Sequence, residues 1–174
     1  MAGLVGLAAG WIRGGRFNRL AGVSLRWFPV LVFGVILVFA SQLAWLPDPA
    51  PRLLVGAGYL AAVAMLAANR DRPWLVVVLA GAVLNAVVIV ANEGRMPVSP
   101  GALAMAGRPA SGALIAGTDP RHVLETPWTP LGFLDDRVAF HIAGLAGILS
   151  PGDVLMAVGA AGFVQAAMGE TRRI

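Results

Sequence analysis

The stretch Asn92-Glu93-Gly94-Arg95-Met96-Pro97-Val98-Ser99 is where the chain turns from apolar to polar. Before it, apolar runs follow one another with only short interruptions. After it, residues 92–150 carry both histidines and five of the nine acids. That asymmetry predicts a polytopic membrane protein with its polar chemistry gathered on one side.

Composition agrees. Hydrophobic residues fill 58% of the 174 positions and charged residues 13%, against roughly 25% charge in a soluble domain. Mean hydropathy is +0.78. All 13 basic residues are arginine, and the pI near 11.3 would suit a nucleic-acid binder. These arginines, however, sit in short connections between apolar runs rather than along one stripe, so the expected partner is the lipid bilayer and not nucleic acid. With no cysteine, disulfides, thiolate metal sites and a cysteine nucleophile are excluded. His122 and His141 stand in no H-x-x-x-H or H-E-x-x-H spacing, so no metal and no other cofactor is expected.

Outward from the turning stretch, four runs read as full spans: 28–46, 53–69, 74–91 and 153–169. A hydrocarbon core of about 30 Å takes about 20 apolar residues. Residues 1–12 would reach only about 18 Å, which predicts a short helix leaning on the bundle, with Gly6 and Gly10 forming a close-packing pair. Residues 17–26 interleave apolar and arginine positions and read as a basic strap at the headgroups. Within 92–150, Ser99-Pro100 and Asp119-Pro120 have the form of helix starts, for 101–106 and 121–125. Residues 107–117 read as a flexible link, and 138–149 as too short to span, hence re-entrant or interfacial. The expected fold is therefore all-α: one integral membrane domain over 1–174, a transmembrane bundle of four full spans plus a short N-terminal helix. An extracytoplasmic lid of short helices and loops, 92–150, covers it.

Counting arginines orients the bundle. Alternating sides place Arg13, Arg16, Arg19, Arg26, Arg70, Arg72, Arg172 and Arg173 together, and Arg52, Arg95, Arg108, Arg121 and Arg137 opposite. The arginine-rich side is assigned to the cytoplasm, along with the C-terminus. Asp48, Glu93, Asp119, Glu125, Asp135, Asp136 and Asp153 then face outward, leaving Asp71 and Glu170 inside.

In chain order, Asn92-Glu93-Gly94-Arg95-Met96-Pro97-Val98, His122, Leu131-Gly132-Phe133-Leu134-Asp135, and Ser150-Pro151-Gly152-Asp153-Val154-Leu155 with Gly159 resemble a family of small bacterial integral membrane proteins known only as a domain of unknown function. The Arg13-Gly14-Gly15-Arg16 to Arg26 stretch is similar too. The chain departs from the family pattern at Asp135-Asp136-Arg137, where a Gly-Asp pair is usual, so which aspartate corresponds stays open. The resemblance implies a bacterial inner-membrane location and supplies no activity.

Asn85, Asn92 and Arg95 are the candidate ligand-binding residues. Asn85 lies mid-span on the stripe Gly81, Asn85, Val88, Asn92, where an interhelical hydrogen bond of about 1 kcal/mol is the plain alternative. Asp135, Asp136, Asp153 and His122 are the candidate catalytic residues, since two neighbouring carboxylates in low dielectric share a proton and activate water. Against this, Ser150-Pro151-Gly152-Asp153 has the form of a helix-start capping box, which explains Asp153 without a substrate. Three readings stand. The favoured one is an accessory subunit docking through its lid and small-residue faces to a membrane-protein partner or a second copy. The others are a binder of lipid or small solute at the outer face, and an outer-face aspartyl hydrolase.

Overall fold

A computed structural model of the chain describes residues 2–43, 45–142 and 144–169. Glu170, Arg172 and Arg173, which entered the charge count, lie outside the described residues. Five helices form the body: α1 (Ala2–Ile12), α2 (Phe28–Ala40), α3 (Ala50–Ala68), α4 (Pro73–Ala91) and α7 (Pro151–Gly169). They pack in the order α1, α7, α4, α3, α2, so the last helix inserts between the first and the fourth.

Three of them, α3, α4 and α7, are long and apolar enough to cross a membrane. The fourth expected span is not of that length. The helix anticipated over 28–46 stops at Ala40 after 13 residues, about 20 Å at 1.5 Å per residue. Apolar residues continue to Leu46, but the Ser41 hydroxyl folds back to donate to the Val38 carbonyl at 2.7 Å, and Pro47, Pro49 and Pro51 follow. Hydropathy ran past the point where the backbone could continue.

Small residues set the spacing. Gly34 of α2 lies against Gly58 and Ala61 of α3; Gly81 of α4 against Gly152 and Met156 of α7; Gly159 and Gly162 against Val78 and Trp74. Gly6 and Gly10 pack α1 onto α7 at Ala161, Val164 and Met168, as their spacing predicts. Absent side chains let helix backbones approach where apolar solvent gives little drive to associate. Two buried clusters fill the remaining space, Val55, Val88, Ile89 and Met96 near one end and Met65, Leu66, Leu75 and Ala82 near the other.

The arginines of 16–26 do more than mark a side. The strap forms a 3-10 turn, Phe17–Gly22. From it Arg19 donates to the terminal carbonyls of α7, Met168 and Gly169, at 3.1 and 3.2 Å. Arg26 reaches the Ala68 carbonyl at the end of α3. Helix C-termini carry unpaired carbonyls and negative dipole ends, and these cations answer both.

The 92–150 segment departs from an all-α fold, which is therefore mostly helical with two small sheets. β1 (Met96–Val98) pairs in parallel with β2 (His122–Leu124), and β3 (Val138–Ile142) antiparallel with β4 (Leu145–Leu149). The helix expected at 121–125 is thus a strand. Asp119 Oδ1 accepts from the amides of Arg121 and His122 at 2.9 and 2.8 Å, a turn that sends Val123 and Leu124 into pairing with β1. The run 138–149 is a hairpin, with Gly144 at φ +80° in its turn and the Phe140 ring lying over Gly147. Of the short helices, α5 (Pro100–Met105) starts where Ser99-Pro100 indicated, and α6 (Gly112–Ile115) interrupts the stretch expected to be flexible.

Gly152 tests this packing. A Cβ there would run into the Asn85 side-chain oxygen and lie 2.7 Å from the Gly81 carbonyl, whereas one at Gly56 meets nothing. Gly152→Ala is expected to cost about 1–3 kcal/mol, seen as a lower thermal midpoint in detergent, with Gly56→Ala unchanged. Equal midpoints for the two variants would contradict the α4–α7 contact.

Candidate functional site

Asn85 sits six residues before the end of α4, about 9 Å along its axis, yet it meets the first turn of α7. α7 therefore begins well below the end of its neighbour. The capping box forms as its residues predict: the Asp153 amide donates to Ser150 Oγ at 2.9 Å and the Ser150 amide to Asp153 Oδ2 at 3.1 Å. Asn85 closes the box into a ring. Its Nδ2 donates to Asp153 Oδ1 at 2.8 Å, and Ser150 Oγ donates to Asn85 Oδ1 at 2.8 Å. Ser150 and Asn85 are 0% and 1% exposed, and both Asp153 oxygens are engaged.

Above the ring lies a second group of acids. Asp135, 0% exposed, accepts from Arg137 Nε at 2.6 Å, while Arg137 Nη2 donates to Glu125 at 3.1 Å. Asp136, half-buried, follows directly. Burial, and then the charges of Asp153 and Asp135, push its carboxyl up to about 7. Tyr59 of α3 packs against Val55, Val88, Ile89 and Met96 and lies near enough to feel the charges of Asp153 and Asp136. The tyrosine also lines an apolar groove of about 260 Å³ between α2 and α3, with Gly34, Gly58 and Met156. The result is an acid able to hold or release a proton near neutrality, close to the Asp153 carboxylate that Asn85 and the Ser150 amide hold in place.

The structure thus brings Asp135, Asp136, Asp153 and Asn85 together and leaves the other candidates elsewhere. Asn92 donates to the carbonyls of Val88 and Pro130 at 2.9 and 3.0 Å, closing α4 and tying down the segment. Arg95 bonds the Gly117 carbonyl at 3.2 Å and lies 3.9 Å from Glu93. The His122 ring stands 3.3 Å from Asp119, and burial lowers its pKa. Among the described residues, no three of His, Asp and Glu gather as ligands for a metal. The sequence reading does not count Glu125, Arg137 or Tyr59 among the site residues. Tyr59 carried a signal, being the one tyrosine of the chain, set within an apolar helix.

The chain belongs to a family of unknown function, DUF5317, whose model matches residues 19–165. No curated protein and no solved structure matches it.

Asp136 makes stability depend on pH. Its folded value of about 7 lies above the ordinary 3.8, so the folded state binds a proton that the unfolded chain has lost. The stabilisation is full below the unfolded value and disappears as pH rises through about 7. Asp136→Asn is expected to flatten the decline in unfolding free energy over that window, measured by chemical denaturation in detergent. A variant declining as steeply as the parent would show that Asp136 does not hold the proton.

Proposed function

We propose that this member of a family without an assigned activity is a multi-pass protein of the bacterial inner membrane, serving as an accessory subunit of a membrane-protein complex. Its 92–150 segment faces away from the cytoplasm and its C-terminus faces inward. The orientation rests on the arginine count, and the bacterial membrane on the family resemblance. The role rests on one observation. The segment leaves Met105, Ile115, Trp128 and Phe133 64–90% exposed, while Asp153, Asp135 and His122 are already engaged by neighbours within the chain. Large apolar side chains outside the spanning helices offer contact area to a protein partner or a second copy, with the bilayer as surround.

A second reading is supported by the position of Asp136. As a proton donor or acceptor near neutrality, it could serve an outer-face hydrolysis, with Asp153 held in place by Asn85 as the second carboxyl of the pair.

Gentle extraction followed by native mass measurement separates the two. The subunit reading expects a stoichiometric protein companion, lost on combining Trp128→Ala with Phe133→Ala while the fold persists. A bare monomer in every mild detergent would end it. The hydrolase reading expects Asp136→Asn to block processing of a membrane substrate, and ends if that processing continues. For orientation, a cysteine placed at Trp128 in this cysteine-free chain is expected to react with an impermeant reagent from outside intact cells; labelling only after lysis would reverse the assignment.

A further inference from the structure

Arg137 holds its two acids in an unusual way. One edge of a guanidinium commonly grips both oxygens of a single carboxylate. Here Nε takes one oxygen of Asp135 at 2.6 Å and Nη2 takes one oxygen of Glu125 at 3.1 Å, so a single cation draws two acids to the same edge. The Glu125 carboxyl also lies over the 3-10 turn Gly132–Leu134 that leads into Asp135, 2.9 Å from where a Gly132 Cβ would be. The second oxygen of Asp135 is buried with no partner.

We propose that Glu125 and Asp135 form a proton-binding site, in which one proton taken from water is shared between the two carboxyls and ties the end of β2 to the turn before β3. Two ionised carboxylates offer only acceptors, and contact between them repels. With one proton, a carboxyl of the pair donates to the other and the buried oxygen gains its partner. Arg137 then neutralises the single remaining charge. The other charged groups facing the pair are Asp136 and, beyond it on α7, Asp153; both are acids and favour retention of the proton. Burial raises the Asp135 pKa; the Arg137 hydrogen bond opposes that rise and the nearby Glu125 carboxyl adds to it, with a net shift upward. Glu125 is 23% exposed in its side chain, which gives the proton a route to water. As pH rises and the proton leaves, one arginine faces two charges and the fork opens.

The test uses the full-length chain in lipid nanodiscs, in an Asp136→Asn background that removes the neighbouring protonatable acid. Infrared difference spectra should show a protonated carboxyl at neutral pH that disappears in both Glu125→Gln and Asp135→Asn. Glu125→Gln keeps an oxygen for Arg137 and supplies a permanent N–H donor to Asp135. It should therefore hold the protection factors of the β2 and β3 amides, corrected for the intrinsic base-catalysed rate, constant from mildly acidic to mildly alkaline pH, while those of the parent fall severalfold across that range. If Asp136→Asn fails to fold, the same bands are read as wild type minus Glu125→Gln. The proposal is overturned if no protonated carboxyl is sensitive to Glu125→Gln, or if that variant exchanges faster at every pH, as loss of a plain ion pair requires.

Discussion

The hydrogen-bonded ring of Asn85, Ser150 and Asp153 is the constraint from which the rest of the arrangement follows. α7 starts about 9 Å below the end of α4, and a helix start there exposes amides that an apolar surround cannot satisfy. Ser150 and Asp153 supply the missing acceptors from within the chain, and Asn85 fixes the depth at which they do so. Only glycine fits at 152 beneath the Asn85 oxygen. The same ring therefore dictates the close α4–α7 contact. At its other end α7 is held by Arg19 on its last carbonyls and by α1 along its flank. A helix that arrives last in sequence is thus anchored at both termini by residues far from it along the chain.

That anchoring explains the form of the 92–150 segment. Between leaving α4 and entering α7, the chain must return to the depth of Asn85, and it does so with backbone hydrogen bonds already made. β4 delivers Ser150 directly to the ring, and β3 pairs with it along its length. A loop descending to the same depth would carry unpaired amides and carbonyls, and a straight helix could not make the turn at Gly144.

How much of this was legible depended on whether the signal was local. Hydrophobic length placed α3, α4 and α7 to within a few residues, and the Ser150-Pro151-Gly152-Asp153 box was readable because a cap is made by residues three apart. Asn85 stood out as an amide in an apolar run, although its partner did not. α2 was read too long because hydropathy counts side chains, while the helix ended where Ser41 turned its backbone. The strands were missed for a different reason. β1 and β2 lie more than twenty residues apart and are three residues each, so no periodicity develops, and pairing at that distance leaves no local trace. The fork of Arg137 was likewise invisible, since it joins Glu125 to Asp135 across a turn whose shape the sequence does not declare.

The charge balance of this end carries the last step. Four acids, Glu125, Asp135, Asp136 and Asp153, share one nearby arginine, Arg137. Asp153 draws on an amide and a side-chain N–H, which stabilise its charge without cancelling it. Three negative charges beyond what Arg137 can neutralise would remain if all four ionised, in surroundings where Asp135 is wholly buried. Burial makes such an excess costly, and protons are the ligands available to relieve it. The arrangement therefore favours holding protons at the acids that lack dedicated donors, which are Asp136 and the Glu125–Asp135 pair. Asp153 is the one of the four whose two oxygens are both answered by N–H donors, which holds its carboxyl in place beside the acids that share Arg137.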